Sequence, residues 1–396
     1  MSGNFKQAAS LQALIEGTHH LRTACPATNV IGNLRILYSY GHAKLVTYQD
    51  MDRNVCAAVV NESCEILFHR THRQDAEFSF RLVHVLQGIF VETMDPIEYY
   101  LIAGATGRQG GATVDALLTH PTIKIEPKKV FAVTRQGSGP GAVKLREKYG
   151  NINIVSGDLN NPEGIFGQLD RNILKKTGVF LAQAHGPTEL EDAKGFISAA
   201  AANGIPYFVY SSVDRGGREL SDKDPSYCKT FSDKFYIEKH LKDVCDSSKM
   251  GYTILRPTWF ADNAWWGFPG QLCMTGWREN MQGKKMQVTV TKDIGRWAVE
   301  ALVQPDRTGI RNQALSIASD ELSFKQIDDI FIRRTGKGVP VTYGLFARFV
   351  IWMVKDLRTM FGFIGERDYG ADLPWLKSQL EPTTFEQWVN SEVPRN

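Results

Sequence analysis

From residue 99 onward the chain alternates short apolar runs with longer stretches of helical periodicity. The runs Tyr99 to Ala103, Val130 to Thr134, Ile152 to Val155, Gly178 to Ala182, Tyr207 to Ser211 and Tyr252 to Leu255 are each closed by polar residues, Gly or Pro. This rhythm predicts a series of βα units. Within each run the apolar residues are continuous rather than alternating, as expected of parallel strands covered on both faces by crossover helices. The predicted fold class is therefore α/β, with a doubly wound parallel sheet.

After Arg256-Pro257 the rhythm stops, and Trp259, Phe260, Trp265, Trp266, Phe268 and Trp277 crowd into the next stretch. That change of character predicts a smaller C-terminal α/β subdomain on the substrate side. The chain then divides into an N-terminal extension of uncertain structure (1–93), a nucleotide-binding core (94–256) and the substrate-side region (257–396), the last two forming one domain.

Residues 1–93 have neither the βα rhythm nor the composition of a linker, although they hold most of the nine histidines. Cys56, Cys64, His69 and His72 fall at spacings that match none of the usual zinc frameworks, so no metal is expected. Glu16 is the only acidic residue before Asp50, a weak transit-peptide feature without the abundant arginines. The first strand follows closely on Met94, which makes Met94 the expected start of the functional unit.

At roughly 150 residues per domain, a chain of 396 residues has room for two or three units. Its 43% hydrophobic and 22% charged residues exclude a wholly disordered or fibrous chain. The net charge of +3 is spread along the chain without a basic block, and direct nucleic-acid binding is not expected. Six scattered cysteines read as free thiols of a reducing compartment, cytosol or nucleus. The most apolar run, Phe349 to Val354 between Arg348 and Lys355, is far short of the roughly 20 residues that span a bilayer. It reads as a core helix, with no membrane partner; oligomeric state is not legible.

The first apolar run leads into Gly104-Ala105-Thr106-Gly107-Arg108-Gln109-Gly110-Gly111 and then a helical stretch through Leu118. Between a strand and a helix, such glycines allow a tight turn, close approach of backbone to a pyrophosphate, and close packing of helix on strand. The helix N-terminus adds unpaired N–H groups and the positive end of its dipole, so an anion is held without a charged side chain. This predicts a Rossmann-type dinucleotide site. The second strand ends in Arg135, where NAD-specific sites usually carry an acidic residue for the ribose 2′-hydroxyl. A guanidinium there suits a 2′-phosphate, with Ser138 as helper, so the expected cofactor is NADP(H).

Together with Ser156-Gly157-Asp158-Leu159, Ser211-Ser212, Lys234 and Leu255-Arg256-Pro257-Thr258-Trp259-Phe260, the loop and Arg135 make the chain resemble the NmrA-like family of atypical short-chain dehydrogenase/reductases. The resemblance continues through Asp293-Ile294-Gly295 and Tyr369-Gly370-Ala371-Asp372 to the C-terminus. It implies that Gly104, Ala105, Thr106, Gly107, Arg108, Gln109 and Gly110 lie at the pyrophosphate and Arg135 at the 2′-phosphate. It further implies Asp158 and Leu159 near the adenine, Gln183 near the nicotinamide ribose, and Phe260 and Asn263 beside the cofactor.

Lys234 is the residue most relevant to chemistry. It shares a helical stripe with Ile237, Leu241 and Val244, and an inward lysine needs a partner, either cofactor ribose hydroxyls or, more simply, a surface pair with Glu238. In typical short-chain dehydrogenases a tyrosine four residues earlier donates the proton; here that position is Thr230, a much poorer donor than a phenol. Tyr227 or a water is left to substitute. The resemblance covers fungal proteins of two kinds. One reading is an NADPH-dependent reductase of a small apolar or aromatic carbonyl or enone, of the sort found in secondary metabolism, with the Trp259 to Trp277 stretch lining the substrate pocket. The other is a non-catalytic NADP(H) sensor that regulates transcription through a protein partner.

Overall fold

The computed structural model describes residues 97–265, 267–281 and 283–395 in full and, before them, the backbone of five strands. The side chains of Cys56, Cys64, His69 and His72 lie outside the described residues. The chain divides into two compact units, Met1–Met94 and Asp95–Asn396.

In the first unit β1 (His20–Ala24), β2 (Ile31–Tyr40), β3 (Ala43–Asp50), β4 (Val55–Asn61) and β5 (Ile66–Thr71) form an antiparallel sheet in sequence order. β2 alternates at Leu34, Ile36, Tyr38 and Tyr40, but β4, which reads Val-Cys-Ala-Ala-Val-Val-Asn, does not, so the five strands share no uniform period of two.

The second unit is built on seven parallel strands: β6 (Tyr99–Ala103), β7 (Val130–Thr134), β8 (Asn153–Ser156), β9 (Thr177–Leu181), β10 (Tyr207–Ser211), β11 (Gly251–Pro257) and β14 (Gln313–Ile317). Their order is β8-β7-β6-β9-β10-β11-β14, with every neighbouring pair parallel. Six of the seven coincide with the continuous apolar runs, within two residues at each end. The seventh, β14, comes from the stretch assigned to the substrate side, and its Gln-Ala-Leu-Ser-Ile sequence is only partly buried at the sheet edge.

Helices α1 (Arg108–Leu118), α2 (Glu189–Ala202), α3 (Lys229–Asp246) and α4 (Thr291–Val303) cover the sheet. Leu101, Val179, Phe208 and Ile254 pack with Phe196 and Ile197 of α2 and Ile237 and Leu241 of α3 into one buried cluster. On the other face α1 and α4 pack closely, because Gly295 brings the α4 backbone against Ala112 of α1. A smaller three-stranded sheet, β12 (Trp259–Phe260), β13 (Lys285–Thr289) and β15 (Asp320–Ser323), carries a second core with Trp259, Trp277, Phe331, Phe361 and Phe385.

Two sequence expectations are corrected here. Trp259 and Trp277 are 4% and 1% exposed and meet edge to face, so they form the subdomain's core and do not line a pocket. The apolar run at Phe349 lies on α5 (Gly344–Met353), followed by α6 (Lys355–Glu366). Only Ala347 and Ile351 of α5 are buried, whereas Leu345, Phe346, Phe349, Trp352 and Met353 are exposed. A helix apolar all round has no polar face from which inside and outside could be told. Among the described residues, no helix is long and apolar enough to cross a membrane.

Candidate active site

The strand order reverses direction between β6 and β9, and ligands of open α/β sheets bind at the carboxyl ends of the strands on either side of such a point. The loop leaving β6 turns there. Gly104 has φ +72, and a Cβ on it would lie 3.0 Å from the Ala182 carbonyl oxygen. A Cβ on Gly110 would fall 2.2 Å from the Gly104 carbonyl oxygen, so only glycine lets α1 start this close to the loop. The helix begins from Gly107 with no side-chain cap and no acidic residue in its first turn. Its first N–H groups therefore need an acceptor from elsewhere, and an anion supplies one. Ala105 is buried, while Thr106, Gly107 and Arg108 face outward. Gln109 accepts a hydrogen bond from Ser211 Oγ through Oε1 at 2.6 Å, which ties α1 to β10.

The remaining residues implied by the resemblance follow the carboxyl ends of neighbouring strands, so the parallel topology brings them to one edge. Arg135, after β7, is exposed and has no hydrogen-bond or ion-pair partner among the described residues; Ser138 beside it is exposed too. Their loop is held from outside, Gly137 N donating to Ser156 Oγ at 3.3 Å and Arg146 Nη1 donating to Gly137 O at 2.9 Å. After β8, the Asp158 carboxylate accepts from Asn160 N at 3.3 Å, and Leu159 packs against the sheet core. After β9, Gln183 carries a buried Oε1 without a hydrogen-bond partner, the kind of orphan that a bound hydroxyl or amide would satisfy. Phe260 on β12 and Asn263 in the short turn Ala261–Trp265 are half-buried.

Within the chain Lys234 faces Glu189 and not the expected Glu238. Its ammonium lies 2.8 Å from Glu189 Oε1, close but off the axis of an aligned hydrogen bond, and 5.5 Å from the centre of the Tyr210 ring. The Lys234 side chain is 12% exposed and that of Glu189 is fully buried. The other Glu189 oxygen lies 3.0 Å from His185 Nδ1, and His185 Nε2 lies 3.6 Å from Asp356 at the start of α6. His185, Glu189 and Asp233 bring three ligating atoms within 4.8 Å of one another, but the ammonium groups of Lys234 and Lys229 already face the two carboxylates. The charge of the cluster is thus met without a cation. Tyr210 hydroxyl is buried and unpartnered, and burial pushes its pKa well above 10.0. Tyr227 stands edge-on to Phe363, with its phenol engaged by Glu366.

Glu238, the other partner considered for Lys234, is committed elsewhere. It is buried between Arg215 and Arg256, accepting from Arg215 Nη2 at 3.0 Å and from Arg256 Nη2 at 2.6 Å. Ser212 also donates to it, so the Ser211-Ser212 pair fastens both α1 and α3 to the end of β10. His185, Glu189 and Arg215 were missed by sequence reading. His185 and Glu189 stand four residues apart, but Glu189 meets Lys234, and Arg215 meets Glu238, only through folding.

Residues 98–389 match the NmrA-like family. The chain is 25% identical over 299 residues to an NmrA-like family domain-containing oxidoreductase, lnaB, of Aspergillus flavus, covering 68% of this chain and 85% of that protein. It is likewise 25% identical over 173 residues to the oxidoreductase FrzB of a Cladobotryum species, where the match spans 41% of this chain and 46%, about half, of the relative. Among solved structures, the triphenylmethane reductase of a Citrobacter species complexed with NADP(H) has the same fold, with a TM-score of 0.54, 14% identity, and coverage of 74% of this chain and 100% of that one. With a match over most of its length and the strand order of that fold, the chain belongs to the NmrA-like family.

Proposed function

We propose that the protein is an NADP(H)-dependent reductase of a small apolar or aromatic carbonyl or enone compound. The observation that carries the reading is the uncapped start of α1, packed on a glycine turn at the sheet's reversal point, with the unpartnered Arg135 guanidinium on the next strand. The residues fit the cofactor: α1 N–H groups would hold the pyrophosphate, Arg135 and Ser138 the 2′-phosphate, and Gln183 Oε1 a hydroxyl or amide of the nicotinamide half. When bound, the dihydronicotinamide supplies a hydride, and the chain supplies position and electrostatics. Lys234, held by Glu189, presents an ammonium at the same edge, where it can hydrogen-bond a ribose hydroxyl or an acceptor oxygen. The names of the fungal relatives and of the NADP(H)-complexed reductase support this reading. The sensor alternative rests on Thr230 and on the resemblance to regulatory members of the family, and the absence of that phenol leaves hydride transfer intact.

Titration of NADPH and NADH against the wild type and Arg135→Asp tests the cofactor half. A charge-assisted contact of about 1.5–3 kcal/mol gives roughly 10- to 150-fold preference for NADPH, which the variant should lose. A screen of NADPH oxidation with carbonyl, quinone and enone acceptors, repeated with Lys234→Ala, tests the chemistry. Tight NADPH binding with no turnover on any acceptor overturns the reductase reading in favour of the sensor.

A further inference from the structure

Reduction of a carbonyl consumes a proton as well as a hydride, and the site lacks the usual phenol. Tyr210 is a poor donor because its hydroxyl is sealed from water, and Tyr227 is engaged with Glu366. Resting on the reductase reading, we propose that His185 and Glu189 form the proton inlet to Lys234.

Three side chains make a continuous path from water to the sheet edge. His185, 37% exposed, lies on the loop two residues beyond Gln183. Its Nδ1 is 3.0 Å from Glu189 Oε2, and Glu189 Oε1 is 2.8 Å from Lys234 Nζ. The carboxylate in the middle is fully buried and belongs to the first turn of α2, so it is fixed by the fold rather than by solvent. The other charges facing the path are Asp233 and Lys229 of α3, paired with each other at 2.5 Å, Glu191 of α2, and Asp356 of α6. Asp356 stands at the outer nitrogen of His185, so carboxylates face the ring on both sides.

The proton balance is as follows. As the acceptor carbon takes the hydride, the carbonyl π pair moves to oxygen, which takes a proton from the Lys234 ammonium. The amine left behind takes a proton from the Glu189 carboxyl, which received it at Oε2 from the His185 imidazolium and turned to present it at Nζ. The neutral ring is left with its proton on Nε2, and a turn of the 37%-exposed side chain brings the bare Nδ1 to water, which reloads it. In total one acceptor, one NADPH and one proton give one reduced acceptor and one NADP+.

A pair of acceptors separates this role from a structural one. A p-quinone takes a hydride and a proton, whereas a cationic triphenylmethane dye takes a hydride alone and becomes neutral. In the full-length protein, His185→Gln should lower the ratio of quinone to dye kcat about a hundredfold, the scale of general acid–base assistance, with NADPH affinity retained. Imidazole in the buffer should restore part of the loss for His185→Ala. Glu189→Gln, with its melting temperature measured alongside, should reproduce the change in ratio. Equal losses on both acceptors, or an unchanged ratio, overturn the inlet and leave the reductase reading standing. If the wild type binds NADPH and reduces nothing, the reading falls and the inlet with it. A readout independent of turnover is the Nδ1 resonance of His185 in nitrogen NMR: Glu189→Gln should shift it, and an unchanged resonance overturns the proposal.

Discussion

At the scale of single residues, Glu238 is the carboxylate on which two cations depend. Arg215 and Arg256 are both fully buried, and Glu238 takes hydrogen bonds from each. Removing Glu238 leaves Arg215 without a counter-charge and Arg256 with Asp222 alone, 2.7 Å away, and breaking a buried ionic group costs about 3–5 kcal/mol. Glu238→Ala should therefore lower stability by that amount in denaturant titration, without any contact to the candidate cofactor loop. Burial alone would raise the Glu238 pKa, but Arg215 and Arg256 hold it below the ordinary 4.5. A depressed folded value means stability that is present above the unfolded pKa and lost as pH falls through the folded one. Melting curves should accordingly fall more steeply below about pH 4.5 in the wild type than in Glu238→Gln, relative to each protein's neutral value. An equal acid response in the two proteins would show that the arginines do not stabilise the charged form. The placement of Arg135 and the loop glycines was legible beforehand because it is set by their offset from one strand. Glu189 beside Lys234, and Glu238 between its arginines, were not, because burial and partnership here are properties of crossing elements.

At the scale of elements, the site depends on how closely α1 and α4 approach. Gly295 in α4 faces the backbone of α1, and a Cβ there would lie 2.4 Å from the Ala112 carbonyl oxygen and 2.8 Å from Thr113 N. A neighbouring backbone cannot swing aside as a side chain can, so Gly295→Ala must push the helices apart. Overpacking of this kind costs about 1–3 kcal/mol, and because α1 also carries the N–H groups proposed to hold the pyrophosphate, the variant should lose NADPH affinity as well as stability. Unchanged affinity in a destabilised variant would mean that the start of α1 is held by its loop and not by α4. The elements themselves were read from sequence wherever a strand was buried on both faces. The half-polar edge strand β14 escaped that signal, and α5 gave a misleading one because it is apolar on every side. Its inward and outward residues should differ in consequence: Ile351→Ala should cost about 2–5 kcal/mol, whereas Phe349→Ser and Trp352→Ser should each move stability by about 0.5 kcal/mol or less. A large loss from the outward pair would show that those rings are covered in solution.

At the scale of the molecule, the parallel sheet and the smaller sheet beside it belong to one compact unit, Asp95–Asn396, although the apolar rhythm stops after Arg256-Pro257. The chain returns to the main sheet through α4 and β14, so residues distant in sequence complete a single layered body. The five-stranded sheet of the first unit was not read from the sequence, although residues 1–93 were set apart there from the nucleotide-binding core. Every candidate residue, from Gly104 to Asn263, lies in the second unit, together with both cores that position them. A unit with its own cores and a complete parallel sheet has what a domain needs to fold alone. Residues 95–396 produced by themselves should therefore melt cooperatively and bind NADPH within about threefold of the full chain, a difference of about 0.65 kcal/mol. The measurement is a fluorescence titration of both proteins at the same salt, since a diphosphate held by backbone dipoles and a guanidinium responds to screening. Cooperative melting with NADPH binding weakened more than about tenfold, or 1.4 kcal/mol, would place part of the cofactor site in residues 1–94 and overturn its assignment to the second unit.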